Sequence, residues 1–137
     1  MNAALPGYVY YDANFTFHDG KKGPKLFIIL CDSPLDDANV VVARTTSKQK
    51  NIEQYGCYLD TYPPCFFVPK ESSCFTEKTW VMLDYVVEYE KKGLERMTRT
   101  TQLSITQTKD ILLCGSECIY IERYITEALR VEANKLI

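Results

Sequence analysis

The chain contains one histidine, His18, and one tryptophan, Trp80, and its six cysteines include no Cys-x-x-Cys pair. A tetrahedral zinc centre draws on His and Cys ligands at short paired spacings, so no metal site is expected, and nothing calls for another cofactor. Long apolar runs are also missing: none approaches the ~20 residues that a membrane-spanning helix needs. The opening residues MNAALPGY carry neither a basic start nor an apolar stretch of signal-peptide length. These absences lead us to expect a cytoplasmic protein with no membrane partner. An excess of one charge is lacking too. The net charge of −2 argues against a protein that holds nucleic acid by overall charge alone.

What is present fits a single domain, residues 1–137. The length is enough to bury a core without covalent staples, and 46% hydrophobic with 25% charged residues is ordinary for a globular chain. Ten tyrosines and six phenylalanines favour β-structure and aromatic packing. The cysteines are read as reduced, small core residues. Cys31 sits in an apolar run, Cys57, Cys65 and Cys74 are spread over a loop-rich middle, and Cys114 and Cys118 lie one helical turn apart.

The stretch from Gly20 to Lys50 organises the rest. Two apolar, β-branched runs, Leu26–Cys31 and Val40–Ala43, read as buried strands. A basic loop, Lys21-Lys22-Gly23-Pro24-Lys25, feeds the first, and Arg44-Thr45-Thr46-Ser47-Lys48 ends the second. If the strands are antiparallel neighbours, the entry of one and the exit of the other meet at one sheet end. Lys25 then faces Thr46 and Ser47, and cations and hydroxyls gathered there suit a phosphate. The bland alternative is a set of solvated lysines beside ordinary turn residues.

Further strands are expected at Tyr8–Ala13, Cys65–Val68 and Thr79–Leu83. The last continues or restarts at Tyr85–Tyr89, and Met97–Leu103 could form an edge strand. Residues 47–64 are polar and read as a long loop, with a short strand around Tyr58-Leu59. Trp80 reads as core, whereas Tyr55 and Tyr58 could stack on bases or cover one end of the sheet. Near the C-terminus Ile111, Cys114, Cys118, Ile121, Ile125 and Ala128 recur at helical spacing, with Thr106 or Thr108 as a candidate cap. One continuous helix is expected. A break at Gly115, with Ser116 capping a second helix, is the alternative. The fold class is therefore mainly β with α: a small, strongly bent antiparallel barrel of five to seven strands plus a C-terminal helix.

Several blocks carry a resemblance. Pro6-Gly7-Tyr8-Val9-Tyr10, Gly23-Pro24-Lys25-Leu26-Phe27-Ile28-Ile29 and Val40-Val41-Val42-Ala43-Arg44-Thr45-Thr46-Ser47 resemble, in that order, three conserved segments of the PemK/MazF-type toxins of toxin–antitoxin modules. Trp80-Val81-Met82-Leu83-Asp84 can be laid on a later strand that carries an acidic residue in some members. The chain departs from the pattern where Lys25 stands for the family arginine, with Pro24 before it. Lysine offers a point charge and not a planar fork.

The resemblance implies an SH3-like barrel, a homodimer, and a metal-independent endoribonuclease. Such an enzyme cuts single-stranded RNA by attack of the ribose 2′-OH, leaves a 2′,3′-cyclic phosphate and a 5′-OH, and is blocked by a cognate antitoxin protein. On that frame Lys25, Thr46, Ser47 and Asp84 are the candidate catalytic residues: Lys25 stabilises phosphate charge, Thr46 and Ser47 donate hydrogen bonds, and Asp84 orients a hydroxyl or acts as base. His18, Lys22, Arg44 and Lys48 are candidate substrate-binding residues. The rivals are a non-catalytic SH3-like barrel that binds a protein or peptide, and a toxin of the same fold aimed at something other than RNA.

Overall fold

A computed structural model describes residues 5–17, 19–48, 51–70 and 74–136. In chain order its elements are strands β1 (Tyr8–Thr16), β2 (Lys22–Asp32), β3 (Asn39–Thr46), β4 (Gly56–Tyr58), β5 (Cys65–Val68) and β6 (Thr79–Glu90), then α1 (Lys91–Leu94), β7 (Thr98–Gln102), α2 (Ile105–Ser116) and α3 (Arg123–Lys135). All seven strands join one antiparallel sheet in the order β4-β5-β6-β3-β2-β1-β7. The mainly β class with a C-terminal helix is thus realised. The sheet is open, because its outer strands β4 and β7 do not pair with each other.

The strands with the most continuous apolar sequence, β2 and β3, lie in the middle. Both of their faces are covered, which accounts for runs such as Phe27–Cys31 and Val40–Ala43 being buried residue after residue. One face carries Val9, Ile28, Leu30, Val41, Ala43, Val81 and Leu83, packed against Ile111, Leu112, Ile125 and Leu129 of the two long helices. The other carries Tyr10, Phe27, Ile29, Val40 and Val42, closed by Leu94 of α1. Irregular register interrupts several ladders, at Asp12/Phe15 in β1, Ile29/Cys31 in β2 and Ala43/Arg44 in β3. Bulges of this kind bend and twist a small sheet. The bend that could have divided Tyr85–Tyr89 from the preceding strand is such an irregularity inside one long β6.

The continuous C-terminal helix is corrected by the structure. The helix ends at Ser116, and α3 starts at Arg123 and turns back on α2. The reason lies at Gly115, where a Cβ would stand 2.9 Å from Cδ1 of Leu129. The missing side chain lets α3 approach closely. The apolar stripe keeps its phase across the break because Cys118 and Ile121, in the connecting turn, are themselves buried against the same core. Caps differ as well. Ser104 Oγ accepts from the Gln107 N–H at 3.1 Å to start α2, and Arg130 donates to the Ser116 carbonyl at 3.0 Å, tying α3 to the end of α2.

The reading of every cysteine as reduced is also corrected. Cys57 in β4 and Cys114 in α2 form a disulfide, with Cα atoms 5.6 Å apart and 57 positions between them in sequence. Cys31, Cys65 and Cys118 are free and buried, and Cys74 is free and half-buried. Burial raises the Cys31 thiol to about 12, so it is inert as a nucleophile at neutral pH. No helix among the described residues is long and apolar enough to cross a membrane.

Candidate active site

The antiparallel pairing of β2 with β3 sets Phe27 against Arg44 and Ile28 against Ala43. Continued by two residues, that register puts Lys25 across from Thr46. Thr45 locks it, its hydroxyl donating to the Leu26 carbonyl at 3.1 Å. On the other side of β3, strand β6 pairs Thr45 with Val81 and Thr46 with Trp80, which brings the approach to β6 alongside Ser47 and Lys48. At this sheet end a cleft of ≈ 300 Å³ opens.

Its cationic and hydroxyl wall includes Lys25, Thr46, Ser47 and Lys48, its apolar wall includes Tyr11, Leu26 and Phe75, and Glu77 is the one carboxylate among the described lining residues. Among the lining residues described, two ammonium groups thus face one carboxylate, a local positive balance on a protein of net charge −2. The Lys48 N–H bonds Thr46 Oγ1 at 3.1 Å. This turn fixes the Thr46 side chain while leaving its hydroxyl hydrogen to donate elsewhere. The Lys25 ammonium lies 5.7 Å from the centre of the Phe17 ring, close enough for a cation–π attraction that orients the side chain. Thr79 donates to the Glu77 carbonyl at 2.9 Å, so the backbone at Glu77 is tied to the first residue of β6. The cleft can present ammonium and hydroxyl donors to an anion while an aromatic wall stands beside them.

Four of the sequence-derived candidates, Lys25, Thr46, Ser47 and Lys48, are brought together here. Others are not. Arg44 pairs across β2 with Phe27 and shares the strand face of Thr46, two residues on, but it does not line the cleft. Its guanidinium lies 3.6 Å from the centre of the Tyr85 ring and 5.4 Å from that of Phe15. Asp84 sits in β6 at the irregularity opposite Ala43 and Arg44 and does not line the cleft. Its charge adds to burial in raising the Cys118 thiol, which locates it near the α2–α3 turn. Lys22 is exposed at the start of β2, paired with Thr16. His18 lies outside the described residues.

Tyr11, Phe75, Thr76, Glu77 and Thr79 of the lining were missed by sequence reasoning. Tyr11 enters because β1 pairs it with Leu26, and residues 76–79 because β6 lies beside β3. Both facts follow from strand order, which short apolar runs do not encode.

Trp80 is core, as read. It is fully buried against Phe67 and donates its indole N–H to the Ile52 carbonyl at 2.8 Å. Tyr55 and Tyr58 spend their hydroxyls on Asp110 at 2.6 Å and on the Gln54 carbonyl at 2.7 Å. Among the described residues no cluster of His, Cys, Asp and Glu is arranged to hold a metal ion. No protein-family model matches the chain, and no curated protein matches it.

Proposed function

We propose that the chain is a toxin of the PemK/MazF type, a metal-independent endoribonuclease that cleaves single-stranded RNA by attack of a ribose 2′-OH on the adjacent phosphate. The observation that carries the reading is the cleft itself. Lys25, Thr46, Ser47 and Lys48, distant in sequence as two segments, line one concavity at the sheet end. In this reading the two ammonium groups hold the scissile phosphate. The Thr46 and Ser47 hydroxyls donate to its oxygens as charge builds up in the transition state. Tyr11 and Phe75 supply the apolar wall against which a base can rest.

The resemblance of the segments around Gly7, Lys25 and Thr46 adds a homodimer and an antitoxin that occupies the same cleft. A cytoplasmic location goes with this function.

The test is cleavage of a long unstructured RNA by the purified protein, with Lys25→Ala and Thr46→Ala compared after each is shown to be folded. Wild type is expected to leave 5′-OH ends and 2′,3′-cyclic phosphates. Each variant should lose about 10²-fold or more in rate, the usual effect of deleting a donor aimed at developing charge. Absence of cleavage by wild type would reject the ribonuclease and favour the protein-binding barrel. Cleavage by both variants at the wild-type rate would reject this cleft as its site.

A further inference from the structure

The attack of a 2′-OH needs a group that takes its proton, and the cleft offers few. Lysine ammonium groups and tyrosine phenols hold their protons at neutral pH, and Ser and Thr hydroxyls are weaker bases still. Carboxylates are ionised at that pH. Among the described residues that line the cleft, one is a carboxylate, Glu77. Its neighbour Lys78 is engaged in an ion pair with Glu53, and no salt bridge among the described residues involves Glu77. The bond from Thr79 to the Glu77 carbonyl anchors this point of the chain to the sheet edge of the cleft. Continued, the register that pairs Thr46 with Trp80 sets Thr79 and Lys78 across from Ser47 and Lys48, with Glu77 next along the chain.

We propose that Glu77 is the general base of the cleft, accepting the proton of the attacking 2′-OH. The inference rests on the ribonuclease reading and adds the residue that this reading lacked, since Asp84 lies away from the cleft. The step balances as follows. The 2′-oxygen forms a bond to phosphorus as its proton passes to the Glu77 carboxylate. The bond from phosphorus to the 5′-oxygen breaks, and that oxygen takes a proton from water. The hydroxide so formed is neutralised by the proton held on Glu77. Lys25 and Lys48 balance the negative charge on the phosphate throughout.

The experiment measures single-turnover cleavage of a long unstructured RNA across pH 4–9 by wild type, Glu77→Gln and Glu77→Asp, with Glu95→Gln, at the C-terminal end of α1 and outside the cleft, as a control. RNA affinity is measured on a 2′-deoxy strand that cannot react. Loss of a general base predicts that Glu77→Gln is slower by about 10²-fold or more, binds the 2′-deoxy strand as wild type does, and loses the rise in rate with pH at the acid end. Glu77→Asp should keep that rise and part of the rate. If wild type cleaves and Glu77→Gln cleaves equally fast, or is slower only through weaker binding, the base is not Glu77 while the ribonuclease stands. If wild type does not cleave, both fall together.

Discussion

The Lys25 cleft and the groove around the Cys57–Cys114 bond are similar in size, ≈ 300 and ≈ 350 Å³, yet they are built in opposite ways. The cleft is shaped by strand register and by the segments that leave β3 and enter β6, and the charged residues described on its lining are mainly cationic. The groove is lined by Tyr55, Leu59, Phe66, Leu113 and the acidic Asp110 and Glu117, and its phenol and one of its carboxylates are bonded to each other. Tyr55 donates to Asp110 at 2.6 Å, and burial, with Asp110 behind it, pushes the phenol's pKa well above the ordinary tyrosine value. A disulfide then closes the groove's floor. The contrast separates two placements of polar side chains: a bonded pair, Tyr55 with Asp110, beside the disulfide, and ammonium and hydroxyl groups gathered along one concavity.

The comparison breaks first at the disulfide. Opening a link that spans 57 residues is expected to cost about 4 kcal/mol in the chain-entropy treatment, read as a shift in the urea midpoint between oxidised protein and the Cys57→Ser/Cys114→Ser variant. RNA affinity at the cleft should not follow. A parallel loss of affinity would mean that the two regions are one unit.

A smaller effect belongs to Thr45. Thr45→Val deletes the bond to the Leu26 carbonyl that locks the β2–β3 register beside the cleft. It should cost about 1 kcal/mol of stability and loosen Lys25 relative to Thr46, so cleavage should suffer more than folding. Equal effects on both would make Thr45 structural only.

The smallest effect sharpens the view of the helix-covered face. Glu88 is held below the ordinary carboxylate value by bonds from Ser33 first and Tyr124 next, the latter at 2.6 Å. A depressed folded value means that this contribution is complete above the usual Glu range and fades as pH falls through the lower folded value. Tyr124→Phe should move Glu88 back upward, as an NMR titration of its side-chain carboxyl would record, and its small loss of stability should be full above pH 6 and shrink as pH falls through the folded value.

Much of this was legible in the chain itself. The Phe27–Cys31 and Val40–Ala43 runs announced central strands, and the juxtaposition of Lys25 with Thr46 and Ser47 follows from antiparallel pairing of sequence neighbours. What stayed hidden depended on contacts between distant segments. Gly115 reads equally well as a tolerated helix glycine or as a close-packing point, and only Leu129 on the returning helix decides between them. Cys57 and Cys114 show no paired spacing because the link joins an edge strand to a helix. Arg44, next to Thr45 in sequence, was expected near the phosphate. It shares the strand face of Thr46, but its guanidinium lies over Tyr85 and stays outside the cleft.

The open sheet has one more consequence, for how the molecule meets its neighbours. Unpaired strand edges invite a second chain to add to them. Here the two outer positions fall to β4, three residues long, and to β7, five residues of mostly threonine with Arg99 stacked over Tyr8. The strands long and apolar enough to seed an intermolecular sheet, β2 and β6, lie inside. A crowded solution therefore meets short or polar rims at the two ends of the sheet and β2 shielded between β1 and β3, while β5 covers β6 only over Thr79–Met82 and leaves the stretch around Tyr85 and Val87 as the sheet's most adhesive edge.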